Sequence, residues 1–214
     1  MPDSNDTGTK KRMNLPNKLT LFRLCLVPFC VLFIVLEGVI GEDLGAVIAA
    51  VIFAVASVTD ALDGKIARKY DLITDFGKFL DPLADKFLVI GSMTAILYSY
   101  GSIRSWYFWV VIVVIFREFA VTSLRLIIVS SEDHTVVAAN MLGKIKTTVQ
   151  IINVLSVLIE PVIYRLIFPE GETLDFLLRW PPLTVISSFL TVLVTLWSLI
   201  VYFREYGKYI TRSM

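Results

Sequence analysis

Residues 59–86 read TDALDGKIARKYDLITDFGKFLDPLADK, a stretch that sets six aspartates between two apolar segments. An unpaired carboxylate beside hydrocarbon is costly, so Asp60, Asp63, Asp81 and Asp85 call for a common reason to be there. The flanks decide the class of fold. Leu44–Val58 precedes the stretch and Leu83–Tyr98 overlaps its end, and both are apolar enough to enter a membrane. Four further windows have the same character: Leu19–Leu36, Trp106–Val129, Val149–Phe168 and Leu183–Phe203. Crossing a hydrocarbon layer of ~30 Å takes about 20 helical residues. The two windows next to the aspartates are short by that measure unless each helix continues into the charged stretch.

The composition agrees with this reading. Of 214 residues, 56% are hydrophobic and 18% charged, and the mean hydropathy of +0.74 lies well above that of soluble proteins. The expectation is an all-α integral membrane protein with six transmembrane helices and a polar cavity facing the cytosol. Residues 1–13 lack apolar periodicity and are expected to form a disordered arm, followed by one membrane domain over 14–214. No cleavage signal follows the arm, so the first span reads as an uncleaved anchor. On a six-span chain every Lys and Arg except Arg104, Arg165 and Arg179 falls on one side. Basic residues mark the cytoplasmic face, which places both termini and the aspartate stretch in the cytosol, with a plasma membrane as the setting. A net charge of +1 with clusters explained by topology argues against nucleic-acid binding. Cys25 and Cys30, both in the first span, read as apolar filler.

Asp60 and Asp63 are three apart and Asp81 and Asp85 four apart, so each pair shares a helix face. A turn around Lys69–Ile73 would bring the pairs face to face. Like charges so close raise one another's pKa, and burial raises it further, so a cation is expected among them. Oxygen ligands without His or Cys select Mg²⁺, Mn²⁺ or Ca²⁺. Four carboxylates can hold two such ions, an arrangement suited to phosphoryl transfer. Gly64 and Gly77 leave room beside the carboxylates, Ala67 is small, and Arg68 offers a fork for phosphate. Each residue alone has a plainer reading. Asp81 before Pro82 matches a helix N-cap, and a glycine can serve helix packing alone. The only histidine, His134, lies in an acidic loop and is not expected to be catalytic.

Asp60, Asp63, Gly64, Ala67, Arg68, Gly77, Asp81 and Asp85 together meet the pattern D-x-x-D-G-x-x-A-R-x8-G-x-x-x-D-x-x-x-D. This pattern resembles the signature of the CDP-alcohol phosphatidyltransferases, six-span membrane enzymes. The resemblance implies that fold for nearly the whole chain. It also implies two divalent cations, Mg²⁺ or Mn²⁺, ligated by Asp60, Asp63, Asp81 and Asp85, with Asp85 also the general base. Asp60, Asp63, Gly64, Ala67, Arg68 and Gly77 would form the nucleotide pocket for CDP-diacylglycerol. Homodimerisation is implied as well.

A second polar set bears on the acceptor. In FREFAVTSLRL, Arg117 and Arg125 are eight apart on one helix face, and two arginines at membrane depth are expected to face a polar cavity. Glu118 is an alternative partner that would simply neutralise Arg117. In NMLGKIKTTVQ, Lys144 and Thr147 share a face, whereas Lys146 is expected to point elsewhere and mark the cytosolic boundary. Such cations suit an acceptor that carries a phosphate. Together with NLPNKLTLFR, these segments resemble the branch of the family whose acceptor is sn-glycerol 3-phosphate. Asn17, Thr20 and Arg23 match its polar positions, with contacts to nucleotide or lipid headgroups; capping and snorkelling at the interface are the other reading. Within the family, phosphatidylinositol-phosphate, phosphatidylserine or cardiolipin synthesis are the alternatives. Intramembrane aspartates also mark ion pathways, so a divalent-cation transporter is a further alternative, although here the acids gather at one boundary.

Overall fold

The computed structural model describes residues 14–70, 75–130, 141–168 and 170–212. The arm over 1–13, part of the turn after Tyr70 and the loop containing His134 lie outside them. The described residues form eight helices: α1 (Leu15–Val35), α2 (Glu37–Ile40), α3 (Glu42–Lys69), α4 (Asp75–Ser99), α5 (Arg104–Ser130), α6 (Met141–Ile167), α7 (Glu172–Arg179) and α8 (Pro182–Arg212). Five segments are long and apolar enough to cross a membrane: Leu15–Val35, Asp43–Ile66, Arg104–Arg125, Met141–Ile167 and Glu172–Tyr206. Six had been expected. The sixth helix, α4, has 25 residues and, at 1.5 Å per residue, a length of about 37 Å. Its first half carries Asp75, Lys78, Asp81, Asp85 and Lys86, which leaves no uncharged window of the required length.

The aspartate stretch is helical on both sides, as its short flanks required. Asp81 is not a helix start, however. α4 begins at Asp75 and runs through Pro82, so the N-cap reading of Asp81 is corrected. The short turn α3–α4 also does not make a tight helical hairpin, because α3 and α4 touch little and α1 packs against both. The buried stripe of α1 explains this placement. Pro16, Asn17, Thr20, Arg23, Val27, Cys30 and Ile34 recur at three- and four-residue spacing, one face of a helix. The apolar half of the stripe joins the core with Ala49, Phe53 and Ala56 of α3 and Leu88, Met93 and Ile96 of α4. The polar half lies at the aspartate end.

α8 packs on α5 and on α6, which scarcely touch each other. Its buried side is a seam of Thr184, Ser187, Ser188, Thr191, Thr195, Ser198 and Tyr202, small polar residues of the kind that let membrane helices approach and hydrogen-bond. Asn153 of α6 is the node. Its Oδ1 accepts from Tyr107 OH of α5 at 3.0 Å, and its Nδ2 donates to Ser187 Oγ at 3.1 Å and Ser188 Oγ at 2.8 Å. At the far end Glu160 accepts from the backbone N–H groups of Leu183 and Thr184 at 2.8 and 2.6 Å. This side chain from α6 thereby caps the start of α8, satisfying donors that have no partner within the helix. α7, amphipathic and absent from the sequence expectation, lies between these two helices in the chain. Its neighbour Trp180 stacks on Trp106 at 6.1 Å between centroids, as aromatic residues do at a membrane boundary.

Asn153→Ala is expected to lower the stability of the purified protein by about 1–3 kcal/mol, because Tyr107 OH would remain buried without a partner. Thermal unfolding in detergent measures the effect. An unchanged midpoint would show that the node contributes nothing.

Candidate active site

Three helices bring charge to one end of the bundle. α3 contributes Asp60 and Asp63, α4 contributes Asp81 and Asp85, and α1, wedged between them, contributes Thr20 and Arg23. The guanidinium of Arg23 holds the acids together. Its Nη1 donates to both Asp60 Oδ1 and Asp85 Oδ1, and its Nη2 donates to Asp63 Oδ2 at 2.7 Å. Thr20 Oγ1 lies 2.7 Å from Asp81 Oδ1, 3.1 Å from the carbonyl of Pro16 and 3.4 Å from Asp63 Oδ2. A single hydroxyl proton favours the shortest contact, to Asp81. All four carboxylates therefore converge on one centre.

The cluster has a closed side and an open side. Arg23 is fully buried and the Asp63 side chain is 4% exposed, whereas the side chains of Asp60 and Asp85 are 36% and 46% exposed. Arg23 thus does not snorkel to the interface; its charge is neutralised inside the bundle, and Asn17 and Thr20 are buried beside it. Four carboxylates against one guanidinium leave an excess of negative charge made only of oxygen donors, the chemistry of a hard divalent cation. Among the described residues, no group of three His, Cys, Asp or Glu side chains stands arranged to hold a metal ion. The physical reason is that the planar guanidinium lies among Asp60, Asp63 and Asp85 and sets their spacing. The donor set fits the ion, and the guanidinium occupies the position of a cation.

The glycines flank this centre on the helices named above. Gly64 is half-buried and Gly77 buried. Ala67 and Arg68 fall in the last turns of α3, with side chains outside the described residues, so the nucleotide-pocket expectation for them is not addressed by the geometry.

A cationic cluster adjoins the open side. Glu118 of α5 accepts at Oε1 from Lys146 Nζ of α6 and from Arg117 Nη1, the latter at 3.3 Å. Arg117 Nη2 donates to Ser198 Oγ of α8 at 2.8 Å. Lys86, next to Asp85 on α4, donates from Nζ to Thr122 Oγ1, and Thr122 donates in turn to the Glu118 carbonyl at 2.6 Å. Lys86 directly follows Asp85 on α4 and bonds to α5, the helix that carries Arg117 and Glu118. The acid quartet and the cations are thus neighbours. Arg125 lies two turns beyond Arg117 and donates from Nη2 to Tyr202 OH at 2.8 Å.

The lysines depart from the sequence expectation. Lys146, expected to point elsewhere, is buried in the cluster, while Lys144 is exposed. Thr147 is half-buried and donates to the Gly143 carbonyl at 3.0 Å within its own helix. Sequence reasoning also missed Glu118 as the common partner of two cations and Arg23 as the centre of the quartet. Lys146 lies seven residues before Asn153 on the stripe that includes Gln150, a spacing visible in the sequence, whereas the pairing of Arg23 with the acids is a matter of tertiary packing. A cavity of about 180 Å³ at the opposite end, lined by Tyr100, Ile103, Arg165, Asp175 and Thr184 among others, has no comparable gathering of charge.

Residues 13–197 match the family model described as CDP-alcohol phosphatidyltransferase. A Bacillus subtilis (strain 168) protein named CDP-diacylglycerol–glycerol-3-phosphate 3-phosphatidyltransferase is 45% identical over 170 residues, 74% of this chain and 84% of its own. Proteins of the same name from Escherichia coli (strain K12) and Wigglesworthia glossinidia brevipalpis are similar as well. The first is 40% identical over 144 residues, covering 66% of this chain and 74% of its own. The second is 35% identical over 150 residues, covering 69% and 78%. With the acid quartet and its surrounding helices all inside the matched region, this chain belongs to the CDP-alcohol phosphatidyltransferase family.

Proposed function

We propose that the protein transfers a phosphatidyl group from CDP-diacylglycerol to sn-glycerol 3-phosphate, giving phosphatidylglycerophosphate and CMP. The observation that carries this reading is the gathering of Asp60, Asp63 and Asp85 around Arg23, with Asp81 held beside them by Thr20, next to the basic side chains of Arg117, Lys146 and Lys86. With divalent cations bound among the acids, the diphosphate donor and the phosphate-bearing acceptor would each meet positive charge. The names of the relatives point to the same pair of substrates.

In this reading Asp60, Asp63, Asp81 and Asp85 hold two divalent cations, Mg²⁺ or Mn²⁺. When bound, these ions neutralise the diphosphate and the charge that develops on departing CMP. Gly64, Ala67, Arg68 and Gly77, with Asp60 and Asp63, surround the nucleotide. Asp85, on the open side, takes the proton of the acceptor hydroxyl as that oxygen bonds to the lipid-linked phosphorus. The bond from this phosphorus to the bridging oxygen breaks, and CMP leaves with the electron pair. Arg117 and Arg125 orient the acceptor phosphate, with Lys144 and Thr147 of α6 assisting. The enzyme sits in a plasma membrane with both termini and the site in the cytosol, as the distribution of basic residues supports, and works as a homodimer.

Chelation by EDTA is expected to abolish incorporation of radiolabelled glycerol 3-phosphate by the purified protein, with recovery on adding Mg²⁺ or Mn²⁺; activity that survives chelation would remove the metal role. Asp85→Asn should lower kcat by about 10²–10⁴ while CDP-diacylglycerol binding persists. Retained turnover would exclude Asp85 as the base. Arg125→Ala should raise KM for glycerol 3-phosphate by about tenfold and spare that for CDP-diacylglycerol. Competition among glycerol 3-phosphate, inositol phosphate, serine and phosphatidylglycerol identifies the acceptor directly, and a preference for any of the last three would redirect the reading within the family.

A further inference from the structure

A carboxylate in the middle of a site for an anionic acceptor is unexpected, since it repels the ligand. Glu118 nevertheless lies there, 12% exposed at the side chain, with Arg117 and Lys146 on the same oxygen, Oε1. We propose that Glu118 is the positioning residue of the acceptor subsite, fixing Arg117 of α5 and Lys146 of α6 as a pair beside the acid quartet so that together they receive the acceptor's phosphate. The inference rests on the acceptor reading above and assigns roles to Glu118 and Lys146 within it.

Three observations support it. First, α5 and α6 both pack on α8 and scarcely on each other, so the Glu118–Lys146 pair spans a gap between helices at the cytosolic end of the bundle. The pair adds to the Tyr107–Asn153 hydrogen bond between the same two helices and holds the Lys146 ammonium beside Arg117. Second, Arg117 retains a donor. Its Nη1 is on Glu118 and its Nη2 on Ser198, but its Nε is buried without a partner. A buried unpaired donor is costly, and here it belongs to a guanidinium whose fork suits phosphate oxygens. Third, Lys146 is buried and its ammonium needs an anion beside it, which Glu118 supplies. Without Glu118, two buried like charges would repel, and the long lysine stem would be free to move toward the quartet.

The cluster carries more positive than negative charge. Arg117, Lys146 and Lys86 face the single carboxylate of Glu118, with Thr122 and Ser198 as neutral partners. Glu118 thus lowers the cost of keeping the cations buried before the acceptor arrives without cancelling their attraction for a dianion.

The test is a comparison of KM and kcat. Glu118→Gln keeps the size and an acceptor oxygen but removes the charge. In mixed micelles of detergent and CDP-diacylglycerol, KM for glycerol 3-phosphate should rise about ten- to hundredfold, with KM for CDP-diacylglycerol unchanged. Adding Lys146→Met to Glu118→Gln should cost less than the two single changes combined, because both act on one interaction. If Glu118 merely repels the acceptor, Glu118→Gln lowers KM. If it merely supports the fold, kcat falls with both KM values intact. Either result overturns the proposal. Should Glu118→Gln fail to fold, Glu118→Asp retains the charge one methylene shorter and should raise KM for glycerol 3-phosphate selectively; no selective change would also overturn the proposal. Arg125→Ala in the same assay separates the levels. If it raises KM while Glu118→Gln is silent, only the positioning role is lost; if neither variant alters KM, the acceptor reading itself fails.

Discussion

The burial of Arg23 among the carboxylates of α3 and α4 is the constraint on which the charged end of the molecule depends. Four acids from two helices cannot gather beside hydrocarbon without positive charge, and α1 supplies it by packing between α3 and α4 rather than beside them. The same stripe of α1 that places Arg23 and Thr20 at the acids continues through Val27, Cys30 and Ile34 into the apolar core. Register along one helix therefore couples the geometry of the site to the packing of the bundle. A shift of α1 by a single residue would rotate both the charge and the core contacts out of place.

The opposite half of the bundle solves a related problem with neutral groups. α5, α6 and α8 meet along hydroxyls and the amide of Asn153, with the buried Glu160 capping α8 at the far end. At the end that carries the acid quartet, Arg117, Glu118 and Lys146 adjoin it, with Lys86 linking α4 to α5 through Thr122. The acid-rich and base-rich clusters then lie side by side at one end of the bundle.

Much of this was legible in the residues. Apolar windows located the long helices, and the spacing of Asp60, Asp63, Asp81 and Asp85 placed each pair on one face. The limits of sequence reading are instructive. Pro82 suggested a helix start because proline suits a first turn, yet α4 began earlier and accommodated it, as helices within a bundle can. The partner of Arg23 was invisible because pairing α1 with both α3 and α4 is a tertiary choice, whereas local spacing leaves snorkelling equally acceptable. Lys144 and Lys146 were exchanged for a similar reason. Counting from Thr147 selects Lys144, while the buried heptad through Gln150 and Asn153 selects Lys146, and only packing against α5 and α8 decides between them. α7 was missed because its amphipathic pattern spans just 8 residues.

The central claim is that the quartet binds the divalent ions that the transfer requires. Mn²⁺ binding to the purified protein, followed by electron paramagnetic resonance in the presence of CDP-diacylglycerol, tests it without reliance on turnover. The account predicts saturable binding of two ions that is lost when Asp60 and Asp81 are both changed to asparagine. Equal binding in that variant, or none in the unaltered protein, would contradict it.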